Sequence, residues 1–140
     1  MTVPEGWTKG EVFDKLDSAL KLPAGSSEAA AANVTLPPEA QGNIEGWLAP
    51  LTYDFPPDTT AEEALTTMVN ERVSQLNELK IAPENWQKDL IKASILEREA
   101  VNPDDLPKVA RVIENRLADT GEVQGKLQMD STVLYGLGQV

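Results

Sequence analysis

The sequence predicts an α+β protein that is mostly helical with a small sheet. Four stretches carry apolar residues at helical spacing behind recognisable starts and stops. One stretch, residues 44–55, is instead rich in aromatic and strand-forming residues, bounded by Gly42 and by Pro56-Pro57. And 41% of the 140 residues are apolar, enough for a real core and too many for a disordered chain.

Thr8 followed by Glu11 fits a capping box, and Val12, Phe13, Leu16, Ala19 and Leu20 follow at helical spacing, so a first helix is expected over residues 9–21, stopped by Pro23. Residues 24–33 are a low-complexity run of Ala, Ser and Gly. A short helix over 27–32 fits there, but with no evident face to bury the stretch reads as a variable linker. Residues 44–55 suit extended structure with a proline-broken turn. Thr60 and Glu63 form a second capping box, and Leu65, Met68, Val69, Val73, Leu76 and Leu79 predict a helix over 61–79. A third helix is expected over 84–101, ending before Asn102-Pro103 because a residue preceding proline resists the helical region. A fourth begins near Leu106-Pro107, with Asp104 and Asp105 at the positive end of its dipole, and ends near Thr120-Gly121. Residues 121–129 read as a turn or hairpin, before a short last helix capped by Asp130 or Ser131.

Composition narrows the chemistry. Lys and Arg number 12 against 23 Asp and Glu, a net charge of −11, which argues against nucleic acid and other polyphosphate partners. There is no Cys, so disulfides, thiol nucleophiles and Cys-zinc sites are excluded. There is no His, so a Ser-His-Asp triad or a His-ligated metal cannot form within the chain. Acid–base chemistry near neutral pH then falls to a carboxylate with a raised pKa. No stretch approaches the roughly 18 apolar residues of a membrane helix, and no signal pattern opens the chain, which as it stands reads as soluble. Both ends read as cut from a longer protein.

The third helix is the informative one. Wound at roughly 100° per residue, Leu90, Trp86, Ala93, Ala100 and Val101 share one arc, flanked by Leu96, and Glu97 falls inside it. Lys88, Lys92 and Glu99 fall on the opposite side. Glu99 is therefore expected to be solvated, and Glu97 to face the interior or a cleft wall. An apolar setting raises a carboxyl pKa, as a general acid needs. The competing reading is that Glu97 pairs with a buried Arg. Arg116 falls inside the apolar stripe Val109, Val112, Ile113 and Leu117 of the next helix, and such a pair would lower the Glu97 pKa. Asn115 lies at the edge of that stripe. Gln128, Asp130, Ser131, Thr132 and Tyr135 gather polar groups around a helix start, either as plain capping or as a rim for a neutral, hydroxyl-rich ligand such as a sugar. Trp7, Trp47 and Trp86 read as core before they read as sugar platforms.

Four motifs in order then resemble one family. Ala93-Ser-Ile-Leu-Glu-Arg-Glu-Ala-Val-Asn-Pro103 resembles the signature helix of the endolytic murein transglycosylases, the YceG-like (MltG) family. Pro107-Lys-Val-Ala-Arg-Val-Ile-Glu-Asn-Arg-Leu117, Leu127-Gln-Met-Asp-Ser-Thr-Val-Leu-Tyr-Gly-Leu-Gly138 and Glu45-Gly-Trp-Leu-Ala-Pro-Leu-Thr-Tyr-Asp-Phe55 are similar to its other blocks. Val3-Pro-Glu-Gly-Trp-Thr8 and its helix resemble the end of the LysM-like region that precedes the catalytic part. The chain departs from the pattern at Ala49, Leu51, Met129 and Ser131, and in a longer turn over 119–126.

The resemblance implies residues 1–43 as a partial LysM-like region and linker, and 44–140 as the N-terminal part of the catalytic domain. It implies a lytic transglycosylase at the extracytoplasmic face of a bacterial membrane, held by an anchor outside this chain. Peptidoglycan glycan strands would be its substrate and cell-wall synthesis proteins its partners, with no cofactor and no metal. The family's catalytic acid, the first Glu of Glu-x-Glu, lands on Glu97, and Asn115, Arg116, Gln128, Asp130, Thr132 and Tyr135 become the expected substrate-binding residues. Two other readings stand beside it: a non-catalytic glycan-binding or scaffold module, and a water-using muramidase with Asp130 as second carboxylate.

Overall fold

The computed structural model describes residues 1–99 and 106–118. The chain divides into two compact units, Met1–Lys88 and Asp89–Val140. No described helix is long and apolar enough to cross a membrane.

Helix α1, Lys9–Ala19, starts where the capping box places it. The Thr8 hydroxyl accepts from the Glu11 N–H and the Glu11 carboxylate accepts from the Thr8 N–H at 2.7 Å. Glu45 adds a second cap from a distant part of the chain, its carboxylate accepting from the Lys9 N–H at 3.0 Å. Val12, Phe13 and Leu16 are buried. The helix stops two residues before the expected end. Leu22 N–H donates to Asp17 O and Lys21 N–H to Ser18 O, with Lys21 at φ 56°, which is a Schellman closure with lysine in the left-handed position.

The stretch read as a linker is helical. Helix α2, Ser26–Ala31, packs on α1 and on the following long helix. Its buried group is polar, which an apolar pattern does not reveal. The Asp17 carboxylate on α1 accepts from the Gly25 N–H at 2.9 Å, the Ser27 N–H at 2.8 Å and the Ser27 hydroxyl at 2.6 Å. Asp17 thus satisfies the free N–H groups that open α2. Gly25, at φ 89°, adopts a conformation that L side chains rarely adopt. Burial pushes the Asp17 carboxyl up, but the hydrogen bonds from Ser27 and Gly25 outweigh it and hold it below 3.8.

Among the described residues the expected sheet shrinks to one antiparallel bridge, Thr2 with Thr52. Met1 and Val3 flank it: Val3 N–H donates to Leu51 O at 2.9 Å and Tyr53 N–H to Met1 O at 2.6 Å. Proline explains why no longer ladder forms on the 44–55 side, because Pro50, Pro56 and Pro57 have no N–H to donate. The segment is held by side chains instead. Trp47 and Ala49 are fully buried, and the Tyr53 hydroxyl donates to Ala49 O at 2.7 Å. Burial, helped by the Glu71 charge and opposed by Arg72, pushes the Tyr53 phenol up to about 12.

Helix α3, Ala61–Glu78, begins with the second capping box and buries Ala64, Leu65, Met68, Val69 and Leu76. Leu79, expected in that stripe, caps the helix and is 69% exposed. The end repeats the closure of α1, with Ile81 N–H donating to Leu76 O, Lys80 N–H to Asn77 O, and Lys80 at φ 57°. Trp47 and Trp86 are core residues, as expected, whereas Trp7 is 37% exposed.

Candidate active site

Glu97, Asn115 and Arg116 of the expected site residues lie on two helices, α4, Trp86–Glu99, and α5, Leu106–Ala118. A 3-10 turn, Pro83–Asn85, leads into α4. Its proline stands where a missing N–H costs nothing. The first turn of α4 is fixed within the first unit. Trp86 is buried and donates its indole N–H to Ile81 O at 2.9 Å. Its ring meets Trp47 edge to face at 6.2 Å, and the Trp47 indole N–H donates to the Gln87 side-chain oxygen at 2.7 Å.

From Asp89 the helix belongs to the second unit, and there the burial pattern departs from the helical wheel. Of the arc expected to be buried, Trp86 alone is buried among the described side chains; Leu90 and Leu96 are half-buried and Ala93 is exposed. Glu97 is exposed, which excludes the interior and leaves the cleft wall of the two expected settings. The wheel located the arc, but no described side chain from Asp89 onward is buried, so the arc has no described core to face. The expected solvation of Glu99 concerns a side chain outside those described.

Lys92 and Glu114 join the two helices, Nζ to Oε1 at 3.0 Å. On the helical wheel Lys92 has only a place on the side opposite the apolar arc, with Lys88 and Glu99. Its partner lies 22 residues on, and no local spacing rule reaches that far. Asn115 follows Glu114 on α5 and is exposed. Arg116 lies on α5, and the expected alternative of a Glu97–Arg116 pair concerns a side chain outside those described. Gln128, Asp130, Thr132 and Tyr135 lie outside the described residues, as do Met129, Ser131 and the last expected helix. Among the described residues no three Asp or Glu side chains come together in a way that would hold a metal ion.

A helix presenting an exposed carboxylate, tied by an ion pair to a helix presenting an exposed amide, is an arrangement open to a large polar ligand. Comparison with known proteins gives it a class. The YceG-like family model matches residues 1–140, and the chain belongs to that family. It is 37% identical over 101 residues to a protein of Bacillus subtilis (strain 168) named endolytic murein transglycosylase, a match covering 69% of this chain and 27% of that protein. The chain thus spans about a quarter of that relative's length. No solved structure matches.

Proposed function

We propose that this chain carries the catalytic acid of a lytic transglycosylase that cleaves peptidoglycan glycan strands, and that the acid is Glu97. Family membership over the whole chain carries the reading, together with the position of Glu97 as the first Glu of Glu-x-Glu on α4. In this reading residues 44–140 form the N-terminal part of the catalytic domain and 1–43 a partial LysM-like region and linker, and the work is done outside the bacterial cytoplasm, beside the proteins that build the wall.

In this reading Glu97, protonated, donates its proton to the glycosidic oxygen between MurNAc and GlcNAc as that bond breaks. The resulting carboxylate takes the proton from the MurNAc 6-hydroxyl. The freed oxygen pair closes on the anomeric carbon and leaves a 1,6-anhydro ring. No water enters and one carboxylate serves both steps, whereas hydrolytic glycosidases usually need two. The nucleophile belongs to the same sugar, which removes the entropic cost of bringing in a second molecule.

The exposure of Glu97 fits an acid that must meet a polymer. A glycan laid over α4 would have direct access to the carboxyl. Asn115, Arg116, Gln128, Asp130, Thr132 and Tyr135 are the proposed sugar contacts, as hydrogen-bonding and aromatic groups suited to a neutral hydroxylated ligand.

Glu97→Gln tests the assignment, because it keeps size and hydrogen bonding but removes the proton. We expect the variant of the native protein to fold and to lose glycan cleavage by at least about a hundredfold. Glu99→Gln, on the other side of the helical wheel, should keep most of it. Wild-type turnover by a folded Glu97→Gln protein overturns the assignment.

A further inference from the structure

Glu97 is not alone on its side of α4. At roughly 100° per residue, Ala93 falls about 40° to one side of Glu97 and Ser94 about 60° to the other, each about one turn nearer the N-terminus. Both are exposed. We propose that Ser94 is a sugar-contacting residue, its hydroxyl oxygen accepting a hydrogen bond from a hydroxyl of the glycan held at Glu97, an inference that rests on the reading of Glu97 as the acid.

Helix geometry brings the three residues together. Every Cα–Cβ bond of an α-helix leans toward the N-terminus, so a long side chain covers the turn before its own. The turn before Glu97 is the one that Ala93 and Ser94 form. Residues three or four apart on a helix have Cβ atoms about 5–6 Å apart, so one sugar reaches both Ser94 and Glu97. Along this stripe cover falls away in order. Trp86 is buried, Leu90 is half-buried, and Ala93, Ser94 and Glu97 are exposed. The turn beside the carboxyl offers one methyl and one hydroxymethyl group, neither long enough to hold a sugar ring away from the acid.

The serine hydroxyl is already oriented. Ser94 Oγ donates to Ile91 O at 2.7 Å, within its own helix. That bond engages the hydroxyl proton and fixes its rotation, which leaves the oxygen lone pairs to accept. A glycan brings many hydroxyl donors, and an uncharged acceptor takes one without competing for the proton that Glu97 must deliver. Ser94 and protonated Glu97 thus offer the same sugar an acceptor and a donor from one helix face.

The test is kinetic, in the native protein on purified glycan strands. Ser94→Ala removes the acceptor and keeps the size, Ala93→Leu fills the turn, Lys88→Ala changes the opposite side of α4, and Glu97→Gln runs alongside. Alanine and leucine are strong helix formers, so α4 is expected to hold and the melting temperature to stay unchanged. We expect Ser94→Ala to lower kcat/KM about three- to tenfold, as loss of one neutral hydrogen bond to substrate does. Ala93→Leu should lower it by at least about tenfold by displacing the sugar from the acid, and Lys88→Ala should keep it within about twofold. Wild-type kcat/KM in Ser94→Ala or in Ala93→Leu overturns the inference. So does an equal loss in Lys88→Ala, or a loss in Ser94→Ala that comes with a lowered melting temperature. If Glu97→Gln is inactive while Ser94→Ala and Ala93→Leu are silent, the sugar contact alone fails. If Glu97→Gln turns over normally, or the wild type does not turn over, the functional reading fails and this inference with it.

Discussion

At the scale of single residues, two carboxylates take opposite parts. Glu97 is exposed and presented, whereas Asp17 is buried and fully engaged. Asp17 accepts three hydrogen bonds that tie α1 to the start of α2. Replacing it with Ala strands two backbone N–H groups and the Ser27 hydroxyl, and we expect a loss of about 2–3 kcal/mol in denaturant unfolding. The pH dependence has a definite sign. The folded carboxyl is held below its unfolded value of 3.8, so its contribution is complete above that value and is lost as pH falls toward the folded pKa. Wild type should therefore lose stability over that acid range, and Asp17→Ala should show a shallower acid slope. Equal slopes for the two proteins contradict the assignment.

At the scale of elements, starts were more legible than ends. The capping boxes at Thr8–Glu11 and Thr60–Glu63 stand in the sequence as local patterns, and both helices begin there. The C-termini were less clear because both closures place lysine, not glycine, in the left-handed position, at Lys21 and Lys80. That conformation costs an L residue roughly 1–2 kcal/mol. Lys80→Gly should therefore raise stability by about 0.5–1 kcal/mol, with glycine's larger unfolded-state entropy offsetting part of the relief. Thermal melts of the single variant settle it, and a lowered midpoint contradicts the Schellman reading. Helix α2 fits the sequence only as the alternative to a linker, for a different reason. Its alanines form no apolar stripe, and its anchor is a carboxylate ten residues upstream, a polar contact to which periodicity is blind. Residues 44–55 were read correctly as proline-broken, but the ladder expected there is a single bridge, because pairing needs N–H groups that prolines lack.

At the scale of the whole molecule, the identity of the chain was carried by ordered motifs and not by composition. Charge and the absence of Cys and His excluded whole classes of chemistry, and the motif order resembled one family, to which the chain belongs. The wheel argument and the motif selected the same Glu97 for different reasons. Of the arc, Trp86 is buried, Leu90 and Leu96 are half-buried, and Ala93 and Glu97 are exposed, since a helical arc says where apolar atoms lie but not whether anything covers them. The Lys92–Glu114 tie lay beyond any reading of one helix at a time.

The central claim is that Glu97 acts as acid and then base without water. The most direct measurement is the mass of the sugar ends released when the native protein digests purified glycan strands. The proposed mechanism predicts anhydro ends, one water lighter than reducing ends, and their disappearance with Glu97→Gln. Reducing ends of full mass would show that water attacks the anomeric carbon, which contradicts a one-carboxylate mechanism and returns Asp130 as the second carboxylate of a hydrolase.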